Sequence, residues 1–397
     1  MKTKEIDTNH TDILVEQNTL NIYHYRLDKN LNEGKSLAKQ KNEISTFLKQ
    51  HCSKAENLNF LIGSGCSLPA IPLMGQTFMR IKDDFSNELA NSLGGPYSEN
   101  KDIEGFLNFL KNKITVLETE DSDSTSTHKK AFDLTKKELL RSIDLTYSKD
   151  TEDSDLNTTL ENYLNFYDRL FKLREFNKQS SPINIFTTNY DLFNEVSMEE
   201  SDVHYTNGFQ GSVFRIFNPS AFNLRLVDAE NRYKDKWNAI RRYVKLYKIH
   251  GSIDWKFDKS LNAIRQTAFN MDDDPSNVLI YPTVHKHFET QQSPYSELFR
   301  EFSLNLQRKN STMIIIGYGF PDAHINHLIS QSLNNEDFTL IIFGDRNEMN
   351  ARDFLEQHKS KHNLHFIGGS LEKENDAHFF TNVIDYLGDE TENADAE

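Results

Sequence analysis

An amide, a carboxylate and an imidazole that could act on one small molecule stand at separate points of the chain, each just past a short apolar run. Asn189 and Asp191 lie in Thr187-Thr188-Asn189-Tyr190-Asp191, directly after Ile183-Asn184-Ile185-Phe186. His250 lies in Lys248-Ile249-His250-Gly251-Ser252, at the end of a run that begins at Tyr243. An imidazole can take a proton from a hydroxyl or a water near neutral pH. An amide can orient that water, and a carboxylate can favour positive charge that develops beside it. Each group also has a purely structural reading. Asn and Asp cap helix N-termini, and a single His can serve packing alone. The glycine after His250, and the place of all three groups at strand ends, favour chemistry.

Glycine-bearing turns accompany them. Gly63-Ser64-Gly65-Cys66-Ser67 follows the apolar run Asn57 to Ile62. Such a turn lets backbone N–H groups approach a pyrophosphate, or it is only a tight connection. The third glycine of the dehydrogenase fingerprint is missing. Asp83 and Asp84 fall inside a helical pattern, where a ribose-binding acid would have to end a second strand. A dinucleotide is therefore expected, but not held in the dehydrogenase manner. Gly317-Tyr318-Gly319 and Gly344-Asp345 are two further turns of this kind. They read either as ordinary strand-to-helix connections or as contacts to a ribose and an adenine.

These groups need a frame that brings strand ends together. Short apolar runs at 57–62, 183–186, 243–249, 278–281, 312–316, 338–343 and 364–367 read as strands. Helical patterns cover 36–52, 76–93, 293–308, 322–334, 347–358 and 377–387. Alternation of this kind predicts an α/β fold: a Rossmann-like parallel sheet with helices on both faces. Ligands of such sheets bind outside the carboxyl ends of the strands, which is where every motif above falls. Residues 1–52 read as an N-terminal extension and helix, with a polar arm over 1–35. Residues 53–390 read as one nucleotide-binding domain. It carries a helical insertion at about 100–178, broken by the polar run Asp121 to Thr127, and an irregular small subdomain at about 203–245. Residues 391–397 form an acidic tail.

Composition excludes several classes. The 397 residues carry a formal charge of −15, which a nucleic-acid backbone repels. The basic stretch Arg232, Lys234, Lys236, Arg241, Arg242, Lys245 and Lys248 reads as a solvated face or a subunit contact. No run approaches the ~18–20 apolar residues of a membrane span, and residues 1–12 have no signal-peptide apolar core. A cytoplasmic location is expected. Two cysteines, Cys52 and Cys66, cannot build a disulfide framework or a four-thiolate zinc site. The pairs His324/His327 and His285/His287 are chance neighbours among 14 histidines, and no metal is expected.

Taken in order, the motifs resemble those of the sirtuin family. Gly63-Ser64-Gly65-Cys66-Ser67 is similar to its Gly-Ala-Gly-x-Ser loop, and Ile71-Pro72 to the Ile-Pro that follows. Thr188-Asn189-Tyr190-Asp191 is similar to its Gln-Asn-Ile-Asp element, and His250-Gly251 to its catalytic His-Gly. Gly317-Tyr318-Gly319 stands where a Gly-Thr-Ser turn would, and Gly344-Asp345-Arg346-Asn347 where a late Asn element would. The likeness spans about 57–390, outside the insertion. Three features depart from the deacylases: there is no zinc ribbon, Leu73-Met74 replaces the Asp-Phe-Arg after Ile-Pro, and Thr188 replaces the glutamine. With Thr187 to Asp191, His250 to Ser252 and Pro294 to Arg300, the chain resembles the bacterial sirtuin-like effectors of antiphage defence, which degrade NAD. It is most similar to the subunit that pairs with a HerA-type ATPase.

The resemblance implies NAD as substrate, hydrolysed to nicotinamide and ADP-ribose, and no metal. It implies catalytic roles for Asn189, which orients water or ribose, Asp191, which holds the nicotinamide amide, and His250, which accepts a proton. It implies NAD contacts from Gly63, Ser64, Gly65, Ser67, Thr188, Gly317, Tyr318, Gly319, Gly344 and Asp345. It also implies a HerA-type partner, a homo-oligomer and activity that depends on assembly, because unregulated NAD loss kills a cell. A nucleotide-binding sensor without turnover, a zinc-free deacylase or ADP-ribosyltransferase, and a purely structural partner of an ATPase are the competing expectations.

Overall fold

The computed structural model describes residues 20–84, 103–119, 125–145, 153–176, 181–234, 236–268, 270, 278–280 and 293–388. The strands, in chain order, are β1 (Asn21–Arg26), β2 (Lys29–Asn30), β3 (Asn57–Ile62), β4 (Ile183–Thr187), β5 (His204–Thr206), β6 (Phe209–Gln210), β7 (Arg215–Phe217), β8 (Val227–Tyr233) and β9 (Lys236–Ala239). They continue as β10 (Tyr243–Lys248), β11 (Gly251–Asp258), β12 (Ala263–Gln266), β13 (Val278–Ile280), β14 (Ser311–Ile316), β15 (Phe338–Phe343), β16 (Leu364–Glu372) and β17 (Asn375–Asp376).

The central sheet has 10 strands, in the order β2-β1-β16-β15-β14-β3-β4-β10-β5, with β17 added on β16. From β16 to β5 every neighbouring pair is parallel. The six strands β10-β4-β3-β14-β15-β16 run 3-2-1-4-5-6 in chain order, the arrangement of dinucleotide-binding sheets. The connections reverse direction between β3 and β14. That switch point is where a crevice must open, because the crossovers leave it toward opposite edges.

Burial explains why these runs are strands. Leu58, Phe60 and Ile62 of β3 face one layer with Ile314 and Ile316 of β14, while Leu61, Met313 and Ile315 face the other. A sheet covered on both faces needs apolar side chains at nearly every position. Helices Leu37–Lys54, Ser154–Phe176, Phe193–Glu200 and Phe380–Leu387 supply the first layer. Helices Tyr295–Leu306, Ala323–Ser332 and Met349–His358 supply the second. The expected Rossmann-like α/β fold is the fold observed.

Three local expectations differ from the structure. Residues 21–30, read as part of a polar arm, form β1 and β2, and β1 closes the sheet antiparallel to β16. Its inward set is only Ile22 and His24, too short an apolar pattern to announce a strand. Helix Ser154–Phe176, assigned to the insertion, lies on the sheet through Leu160, Phe166 and Leu170. Helices Met74–Asp84, Ile103–Thr119 and Thr125–Arg141 build a separate core around Phe78, Phe106, Leu110 and Leu139. The irregular stretch 203–245 holds β5 to β9 and the first half of β10, and β8 and β9 pair only with each other among the described residues. Residues 1–19, Gly94-Gly95-Pro96, Asp121 to Ser124, 148–152, Tyr281, His285, His287 and the tail 391–397 lie outside the described residues. Among the described residues no helix is long and apolar enough to cross a membrane.

The seam that holds β1 is built on histidine. His24 Nε2 and His365 Nδ1 are 2.9 Å apart and share one hydrogen bond. Phe47 packs against both rings, and His51 stands beside His365. Burial pushes His24 down to about 4 and His365 down to about 3. The unfolded chain takes up protons near pH 6.5, and the folded chain refuses them until about pH 4. Stability therefore falls as pH drops through that window. Urea unfolding at pH 5 should show less stability than at pH 7, by about 2 kcal/mol for each of the two histidines, and His365→Leu should flatten that dependence.

Candidate active site at the strand switch point

The turns after β3 and β14 interlock at the switch point. Gly63 N–H donates to the Ile316 carbonyl at 2.9 Å, and Gly65 N–H to the Gly317 carbonyl at 2.9 Å. A Cβ at Gly63 would meet the Gly317 carbonyl oxygen and come within 2.7 Å of Tyr318 Cα. Gly317 itself has φ 65°, in the left-handed region that side chains avoid. The glycines thus serve close backbone approach. Gly63→Ala should cost about 1–3 kcal/mol in thermal or urea unfolding and should weaken nucleotide binding, because the two turns are forced apart.

Above this floor opens a concave, largely apolar cleft, the kind of surface that small molecules occupy. Ser64, Ser67, Thr188, Asn189, Asp191, His250, Tyr318 and Gly319 line it. Ile71, Pro72, Met74, Leu139 and Ile143 give it apolar walls. Leu139 and Ile143 belong to the inserted helical core, so the insertion forms one side of the site. Gly63, Gly65 and Gly317 shape the floor without lining the cleft. Gly344 and Asp345 are not brought to it. Gly344 packs against Phe366, and Asp345 Oδ1 accepts from Asn347 N–H at 2.8 Å in a local turn.

Asn189 is held rigidly. Its N–H donates to Thr187 Oγ1 at 3.0 Å, and its Nδ2 donates to the Gly63 carbonyl at 3.0 Å and to Ser67 Oγ at 2.9 Å. A carbonyl only accepts, so this contact sets which way the amide points. Oδ1 is then the other atom. It is buried and has no hydrogen-bond partner among the described residues. A buried acceptor in that state costs about 1–3 kcal/mol.

Asp191 lines the cleft and is tied down through both carboxylate oxygens. Its Oδ1 accepts from Phe193 N–H at 3.1 Å, ahead of helix Phe193–Glu200, and its Oδ2 accepts from Ser67 Oγ at 2.7 Å. Tyr163 Oη lies 3.2 Å from the same Ser67 hydroxyl. Burial pushes the Asp191 carboxyl up, while Lys248 and the Ser67 hydrogen bond pull it down.

His250 is oriented by a residue the sequence did not single out for this task. Its Nε2 lies 3.0 Å from Asp322 Oδ2. Asp322 Oδ1 caps helix Ala323–Ser332, accepting from His324 N–H at 2.9 Å and Ile325 N–H at 3.3 Å. A carboxylate accepts, so Nε2 carries the proton and Nδ1 is the basic nitrogen. Asp322 is legible as an N-cap before a helical pattern. Its second oxygen reaching a histidine 72 residues earlier has no local signal.

Lys248 corrects the reading of the basic stretch as a solvated face. It is fully buried. Its Nζ donates to the Asp191 carbonyl and, at 3.4 Å, to the Tyr190 carbonyl, and lies 3.1 Å from Glu195 Oε1. The stretch spans a strand end, and its last lysine turns inward. The Lys248 ammonium stands against Glu195 Oε1, and burial pushes the Glu195 carboxyl up to about 7 against that pull. Cys66 is buried beneath the cleft, and burial pushes its thiol well up, which makes it a poor nucleophile. The ring of His324 packs on Phe299. Among the described residues no group of three or more His, Cys, Asp or Glu is placed to hold a metal.

The fold is Rossmann-like, with a cleft at its strand switch point. Residues 183–361 match a family model described as a SIR2-like domain. Over that span the chain is similar to SIR2-like domains, and such a domain is compatible with NAD-dependent activity. The match includes Asn189, Asp191, His250 and the Gly317 turn. The Gly63 to Ser67 turn lies outside it and is joined to it by the β3–β14 pairing. No curated protein matches the chain.

Proposed function

We propose that the protein cleaves the bond between nicotinamide and ribose in NAD and passes the ribosyl group to water. The observation that carries this reading is the buried, unpartnered Asn189 Oδ1, held on a fixed amide in a cleft shared with His250 and Asp191. It is an acceptor set to receive a water or a ribose hydroxyl. The nicotinamide nitrogen is cationic in the substrate and takes the bonding pair as it leaves, so it departs neutral and needs little acid assistance. Positive charge develops at the ribose carbon, as in other glycosyl cleavages. The Asp191 carboxylate favours that charge. Water oriented by Asn189 attacks the carbon, and its proton passes to His250. Asp322 stabilises the imidazolium formed. The products are nicotinamide, ADP-ribose and one proton.

The motif resemblance extends the reading to a NAD-depleting effector of antiphage defence, a homo-oligomer activated by assembly with a HerA-type ATPase. Purified protein, alone and with such an ATPase co-expressed, should release nicotinamide and ADP-ribose from NAD, faster with the partner. Binding of NAD or ADP-ribose without turnover in either state would replace this reading with that of a sensor. Transfer of ADP-ribose to a protein acceptor in place of water would make it a transferase.

A further inference from the structure

We infer that Lys248 is a positioning residue of this site: its buried ammonium clamps the Tyr190 and Asp191 carbonyls and holds a positive charge beside Asp191. This rests on the proposed NAD cleavage for its consequence in rate, but not for its geometry.

The turn that carries Asn189 and Asp191 is pinned from two sides. On the cleft side, the Asn189 amide and the Asp191 carboxylate meet at Ser67. On the far side, the turn's carbonyls point back at the strand that carries His250. Lys248 Nζ donates to the carbonyls of Tyr190 and Asp191. Ile253 N–H donates to the Tyr190 carbonyl at 3.0 Å, and Ser252 Oγ reaches it at 3.4 Å. Lys248 pairs in register with Thr187 and stands two residues before His250. One strand end therefore supplies both the proton acceptor and the strut of the turn that faces it. A buried ion pair is a poor source of stability compared with apolar side chains of the same volume. The carbonyls explain its presence, because only a donor can hold them.

The same ammonium sets the charge of the site. The positive group acting on Asp191 is Lys248. The other titratable groups around it are Cys66 and Tyr163, both kept neutral by burial, with Glu195 and Asp254 behind Lys248. Without Lys248, Asp191 keeps its proton to higher pH and cannot favour a developing cation.

The test compares Lys248→Met with the double variant Lys248→Met/Glu195→Gln. The double variant leaves no unpaired buried carboxylate, so its melting temperature should recover most of the loss in the single variant. Its kcat for nicotinamide release should nevertheless stay down by about 10²-fold, the scale of a small misplacement of reacting groups, with KM changed far less. The acid limb of its kcat profile, and the 13C titration of the Asp191 carboxyl in the ligand-free protein, should move to higher pH by about one unit or more. A double variant with wild-type kcat, or an unmoved Asp191 titration, overturns the inference. A wild-type protein that releases no nicotinamide sinks the hydrolase reading alone, since the carboxyl titration still decides the role of Lys248.

Discussion

Asn189→Ala and His250→Ala should each lower nicotinamide release from NAD by about 10²–10³-fold. The expectation follows from how each group is held. Asn189 spends both N–H bonds on Gly63 and Ser67, so its oxygen is fixed before any ligand arrives. A preorganised acceptor needs no rearrangement in the transition state, and its loss falls on kcat more than on KM. His250 is fixed by Asp322 at 3.0 Å, and Asp322→Asn should mimic much of the His250→Ala defect by favouring the wrong tautomer. The two losses should not add, because the water and its proton acceptor act as one unit. The measurement is nicotinamide release under saturating NAD, with circular dichroism to confirm folding. Variants that bind NAD more weakly but turn it over at the wild-type kcat would remove both residues from the chemistry.

Lys248→Met should destabilise the fold by about 3–5 kcal/mol, the usual cost of leaving one member of a buried ion pair alone. Lys248 is fully buried and Glu195 nearly so. The loss should depend on pH. Glu195 already holds its proton up to about 7 with Lys248 present, and without that partner it holds it to higher pH still. Between the ordinary carboxylate range and that raised value the unfolded chain binds fewer protons than the folded one, so stability falls as pH rises through it. Urea unfolding at pH 8 should therefore show a larger deficit than at pH 6. An equal deficit at both would mean that Glu195 is not the group left stranded.

The sheet was legible because its central strands are buried on both faces and read as apolar runs at Asn57 to Ile62, Thr312 to Ile316 and Phe338 to Phe343. Strand ends ran into glycine or polar turns, and that placed Asn189, Asp191 and His250 in one cleft before any geometry was known. The edge was not legible. Strand β1 buries Ile22 and a histidine, and the second stands on β16, so its inward pattern looks polar. Asp322 and Lys248 were hidden for a related reason. Each has a complete local explanation, an N-cap and a basic run, while its contact with the site is made across the fold. Helix Ser154–Phe176 could not be told from its neighbours 103–141, since amphipathic helices look alike whether they cover a sheet or one another.

The interlocked turns at the switch point also bear on when the cleft is completed during synthesis. Strand β3 pairs with β14, so Asn57 stands opposite Ser311, and the edge strand β1 pairs with β16, so Asn21 stands opposite Ser370. Contacts this distant in sequence close slowly and late. During synthesis the turn at Gly63 must wait for Gly317, and the carboxylate that orients His250 follows only at position 322. Chains released before that point would lack the floor of the cleft. The topology thus ties completion of the cleft to synthesis at least as far as Asp322.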